Sequence, residues 1–102
     1  MARFSENLAL LPTIDAGALQ LLTTSGALVA TLENKPGTQG SVRVYAYVAE
    51  KWGGIGPEAA REALQLFAEH TEDARLNPGK HPNIDRLFRI VTENVHYSIR
   101  LV

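Results

Sequence analysis

The sequence predicts an α+β fold: a small antiparallel sheet of about three strands, covered on one face by about three helices. Three features predict it. Two short alternating apolar runs stand close together near the N-terminus, the middle of the chain repeats apolar residues at helical spacing, and the last residues alternate again. An early hairpin and a lone final strand can share one sheet, and the helices between them supply the cover.

Each element has its own justification. Phe4, Leu8 and Leu11 follow a helical spacing ahead of Pro12 and predict a short N-terminal helix. Ala18–Thr23 and Ala27–Glu33 alternate like strands, and Thr24, Ser25 and Gly26 between them read as the turn of a β-hairpin. Residues 34–40 carry one Pro and two Gly and form a loop. Val42–Trp52 supports two patterns. Val42, Val44, Ala46 and Val48 alternate as in a strand, whereas Ser41 as N-cap, the helix formers Ala49, Glu50 and Lys51, and Gly53-Gly54 as a stop favour a helix. The helix is the reading adopted.

Pro57 at a first helical position and Glu58 in the first turn open the next helix. Its apolar stripe is Ala60, Ala63, Leu64, Phe67, Thr71 and Ala74, and Asn77-Pro78-Gly79 ends it. Ile84, Leu87, Phe88 and Val91 stand at i, i+3, i+4 and i+7, an amphipathic helix. Val95, Tyr97, Ile99 and Leu101 alternate with His96, Ser98 and Arg100, which predicts a half-buried final strand.

The 102 residues suit one domain over positions 1–102 and leave no room for two. Hydrophobic residues make up 45% and charged residues 21%, both ordinary for a globular chain. The absence of cysteine excludes disulfides, thiol nucleophiles and cysteine-ligated metals. Leu8–Leu11 is too short for a secretory core, so a cytoplasmic location is expected. The most apolar longer stretch, 18–32, is interrupted by polar residues and cannot span a bilayer. A net charge of −1 with no basic stripe argues against nucleic acid as a partner. A small sheet has edges that must be blunted or paired, so a homodimer through a sheet edge or a helix face is expected.

The densest polar cluster runs from Glu69 to Asp85 and holds two of the three histidines. Asp73 is within i,i+3 reach of His70 on one flank of its helix. If the next helix folds back, His81 and Asp85 approach that pair. Two imidazoles and one or two carboxylates suit zinc or another divalent ion. The same group suits acid–base work, with a histidine oriented by a carboxylate. The simpler alternative is a solvated helix face, with His81 helping to cap the following helix and Asp85 pairing with Arg89.

A second candidate is the loop from Lys35 to Ser41 together with Arg43. With Ser41 capping a helix, Lys35, Ser41 and Arg43 would form a modest anion site. It is not a P-loop, because no Gly-Lys-Ser/Thr follows the glycines; a plain connecting loop is the simpler reading. Tyr45, Tyr47 and Trp52 could form an aromatic surface, although core packing suits at least two of them; the two tyrosines do not share one face, so one of them is expected to be exposed. No serine sits in a nucleophile-elbow context, and no fingerprint names a cofactor.

Glu33-Asn34-Lys35-Pro36-Gly37, Val42-Arg43-Val44-Tyr45 and the stretch from Glu69 through Asp85 resemble a bacterial family of about this length, catalogued as a domain of unknown function. The likeness covers nearly the whole chain. It implies a bacterial, cytoplasmic, one-domain protein and carries no activity, ligand or catalytic residue with it. Two functional readings result. The first is a binding or interaction module that self-associates; the alternative is a small metal-dependent or acid–base enzyme using His70, Asp73, His81 and Asp85. They part on whether those four side chains converge in a concave pocket.

Overall fold

Alternating leucines build the sheet. A computed structural model of the chain describes residues 3–102. β1 (Ala18–Leu22) pairs antiparallel with β2 (Leu28–Glu33) on one side and with β3 (Ser98–Leu101) on the other, in the order β2-β1-β3. The hairpin turn is closed by Thr23, whose N–H donates to the Ala27 carbonyl and whose Oγ1 accepts the Ala27 N–H. Leu19, Leu21 and Leu32 point into the core and are buried. Gln20, between two of them, points the other way and accepts two bonds from the Arg100 guanidinium across the strand pair. One face is therefore apolar and the other polar, which is why α2 (Gln39–Trp52) packs against the sheet from the apolar side.

The final alternating run is only partly in the sheet. β3 starts at Ser98, and Tyr97 instead exchanges backbone bonds with Ile55 in the loop after α2. The alternation is real, but its first residues pair elsewhere.

The described residues form five helices, where about three were expected: α1 (Phe4–Ala9), α2, α3 (Pro57–Phe67), α4 (Glu69–Leu76) and α5 (Pro82–Glu93). The ambiguous segment is helical. In α2, Val42, Val44, Tyr45, Ala46, Val48 and Ala49 are all buried, because the helix lies between the sheet and α3. A helix apolar on more than one side satisfies a two-residue and a 3.6-residue period together, and this explains the double pattern. The helix begins earlier than expected. Thr38 occupies the N-cap position and Ser41 lies inside the first turn, so Ser41 is not the cap. Gly53, at φ +74°, ends the helix in the left-handed conformation.

The expected single helix from Pro57 to Asn77 is two helices. Ala68 has φ +51° and ψ −116°, a backbone region natural to glycine, and it separates α3 from α4. The apolar stripe runs across the break, with Phe67 and Ala74 both buried, so its period gives no sign of it.

α3 packs on α5, and both join α2 and the sheet in one apolar cluster that includes Leu21, Val44, Val48, Leu87 and Ile90. No polar or charged residue is buried in it among the described residues. Tyr45 is the nearest to an exception. Its hydroxyl donates to the Asn83 carbonyl and accepts from Arg86, while burial pushes its phenol up to about 12. Tyr47 is half-buried and packs against the same cluster, so neither tyrosine is the exposed one that was expected. Among the described residues no helix is long and apolar enough to cross a membrane.

Candidate functional site

The bend between α4 and α5 is organised by two aspartates. Asp73, in the last turn of α4, receives three side chains. Its Oδ2 lies 2.7 Å from His81 Nε2 and 2.9 Å from Lys80 Nζ, and its Oδ1 accepts Asn77 Nδ2 at 3.0 Å. The bond from His81, followed by that from Lys80, holds the Asp73 carboxyl well below its usual range, at about 2. Asp85, in the first turn of α5, accepts the Gly79 N–H at 2.9 Å. His81 is the N-cap residue of α5, and its carbonyl accepts the Ile84 and Asp85 N–H groups.

A row of rings connects this bend to the rest of the fold. Phe4 of α1 stacks on Phe67 of α3, with centroids 5.3 Å apart and planes 12° apart. The His70 ring meets Phe4 edge-on at 4.9 Å and lies 5.7 Å from the His81 ring. The break at Ala68 makes this arrangement possible, since it starts α4 in a new direction immediately before His70. α1 is tied down by polar contacts. The Phe4 N–H donates to Glu69 Oε1 at 2.7 Å, holding that carboxyl below its usual range, and Asn7 Nδ2 donates to the Leu66 carbonyl. Arg43 of α2 donates to the carbonyls of Leu8, Leu11 and Pro12, which close off the C-terminal end of α1.

Between α1, the start of α2 and the α4–α5 bend lies a cleft of about 430 Å³. Its floor is apolar, with Phe4, Leu8 and Phe67, and its rim carries His70, Lys80 and His81. Residues 37–41, where the loop enters α2, form the opposite wall. No aspartate or glutamate lines it among the described residues.

Of the four residues in the first candidate cluster, three gather. His70, Asp73 and His81 are neighbours, but Asp73 bonds His81 from across the bend and not the His70 one turn before it. Asp85 is engaged with the Gly79 backbone and does not line the cleft. Among the described residues no group of three or more His, Asp or Glu is placed to hold a metal ion. What the arrangement offers chemically is one imidazole oriented by a carboxylate, with a second imidazole beside it.

The second candidate trio is dispersed. Ser41 lines the cleft, Lys35 pairs with Glu33 at 2.7 Å, and the Arg43 guanidinium is taken up by the three carbonyls behind α1. Sequence reasoning missed the part played by Lys80, which supplies the cation, and by Phe4 and Leu8, which supply the wall. Lys80 stood in plain view inside the polar cluster. Nothing local relates α1 to that cluster, because their contact is made through the fold.

Elsewhere Trp52 is half-exposed, its Nε1–H donating to Glu62 Oε1, which also binds Lys51 through its other oxygen. These residues border a broad open groove of mixed charge.

Residues 4–101 match the model of a family described as an uncharacterized protein conserved in bacteria (DUF2322), and the chain belongs to that family. The bacterial resemblance carried by the Glu33–Gly37, Val42–Tyr45 and Glu69–Asp85 segments thus extends over almost the full sequence. No curated protein and no solved structure matches it.

Proposed function

We propose that this chain is a one-domain cytoplasmic binding module whose ligand site is the cleft between α1, the start of α2 and the α4–α5 bend. One observation carries the reading: Gly37–Ser41 of the first loop and, from the polar stretch 69–85, His70 and Lys80–Ile84 line the same concavity. Its apolar floor and few convergent polar groups match the general character of small-molecule sites. The cytoplasmic location is argued from the lack of cysteine, since small secreted domains commonly carry disulfides.

Amide chemical-shift mapping during a small-molecule screen tests the site. Bound compounds are expected to shift Gly37–Ser41 together with His70 and Lys80–Ile84, and His70→Ala with His81→Ala is expected to abolish those shifts. Compounds that bind only at other surfaces would overturn the assignment.

The same reading includes self-association as a homodimer. The outer edges of β2 and β3 have no strand partner among the described residues, and Leu101 is exposed beside one of them. Light scattering over a wide concentration range is the check, and a strict monomer at the highest concentration removes this part.

A further inference from the structure

Resting on the cleft reading, we infer that the ligand is a small organic anion: an apolar body carrying one carboxylate or phosphate group. The argument is the sign and placement of the groups around the cavity. The chain as a whole is slightly acidic, yet Lys80 and two histidines line the cleft, while Asp73, the carboxylate bonded to Lys80 and His81, lies outside that lining. An anionic head on that rim meets the ammonium of Lys80, whereas a cationic head would meet no acidic side chain in the lining.

Lys80 has capacity left. A lysine ammonium has three N–H groups and an imidazole two nitrogens. Asp73 engages Lys80 Nζ and His81 Nε2 from outside the cavity, which leaves the remaining Lys80 N–H groups as donors; with its Nε2–H given to Asp73, a neutral His81 presents Nδ1 as an acceptor. His70 is held in place by ring contacts with Phe4 and His81. Asp73 therefore works as a positioning group that fixes the Lys80 ammonium and the His81 ring in direction without itself lining the cavity. On the opposite wall the first turn of α2 adds Gly40 and the Ser41 hydroxyl. The body of the ligand is set by the floor. Phe4 and Phe67 stack in parallel, and Leu8 and Ile84 flank them, a surface suited to a flat apolar group. A volume of about 430 Å³ lies at the small end for ligand sites and excludes large polyanions.

The test compares benzoate, phenyl phosphate, inorganic phosphate and benzyl alcohol, with calorimetry for affinity and amide shifts for location. Benzoate or phenyl phosphate is expected to bind at least about tenfold more tightly than benzyl alcohol, the value of one charge-assisted hydrogen bond. Inorganic phosphate is expected to bind more weakly than phenyl phosphate, because it leaves the floor uncovered. Lys80→Gln is expected to weaken anion binding about threefold, a modest loss because Lys80 is solvated, and to leave benzyl alcohol unchanged. His81→Gln serves as the second variant, and circular dichroism confirms that each variant folds. Benzyl alcohol binding as well as the anions, or none of the four binding, overturns the anion assignment and leaves the cleft itself to the wider screen. Anions that bind but shift amides outside the cleft overturn both.

Discussion

The two ends of this molecule are held together by different physics. At the sheet end, Leu19, Leu21, Val44, Val48, Leu87 and Ile90 fill a volume from which polar side chains are absent among the described residues, and shape decides the packing. At the cleft end, α1 fully buries none of its own residues; Phe4 and Leu8 pack only partly against the core, and Arg43, Asn7 and Glu69 tie the helix down through individual hydrogen bonds. A packed apolar core gains its stability collectively and yields only as a whole. A segment tied by a few polar contacts can loosen by itself. The difference teaches where a ligand can enter: beside the tethers, where opening the structure does not require breaking the core.

Substitutions can break or sharpen that contrast. The largest effect is expected from Leu87→Ala, which leaves a cavity at a fully buried position and should cost about 3 kcal/mol in chemical denaturation. Arg43→Ala should cost less, about 1–2 kcal/mol, by freeing three carbonyls. Its signature is local: faster hydrogen exchange in α1 and lost shifts at Phe4, with the sheet amides unaltered. A uniform rise in exchange across the sheet would erase the distinction between the two ends.

Ala68→Gly acts at the junction. The alanine holds a left-handed backbone angle that glycine adopts without strain, so the exchange should raise stability by about 1 kcal/mol. A loss of stability would mean that the alanine methyl packs well enough to offset the strain.

The smallest effect concerns acid. Asp73 has its pKa lowered from 3.8 to about 2 in the folded chain. A depressed carboxyl stabilises the fold fully above pH ~4 and loses that contribution as pH falls toward 2. Wild type should therefore lose melting temperature between pH 4 and 2 more steeply than Asp73→Asn. Equal slopes would show that the His81 and Lys80 contacts to Asp73 are not kept in solution.

The strands were legible because period-two alternation with a Thr-Ser-Gly turn leaves few alternatives, and the hairpin falls within one or two residues of its expected limits. α2 was legible as a helix through the helix formers Ala49, Glu50 and Lys51 and the Gly53-Gly54 stop, since burial on two sides blurred its period. The break at Ala68 was not legible at all. Neither glycine nor proline marks it, and the helical stripe continues as though nothing had happened. Tertiary contacts settle it: Phe67 must reach Phe4 while Thr71 Oγ1 reaches back to the Leu64 carbonyl. The cleft was half legible. The polar stretch announced His70, Asp73 and His81, but which carboxylate would meet which imidazole depended on how the chain turned at residues 77–81. Asp85, chosen for its place in the next helix, went to a backbone amide because the Gly79 N–H lay within its reach.

The strand order has a consequence for the newly made chain. β1 is the middle strand, yet its two neighbours come from opposite ends of the sequence, with residues 34–97 between them. At cellular elongation rates that interval takes roughly 3–13 s to translate. Throughout it one edge of β1 has no strand partner, and the sheet is complete only when β3 is in place.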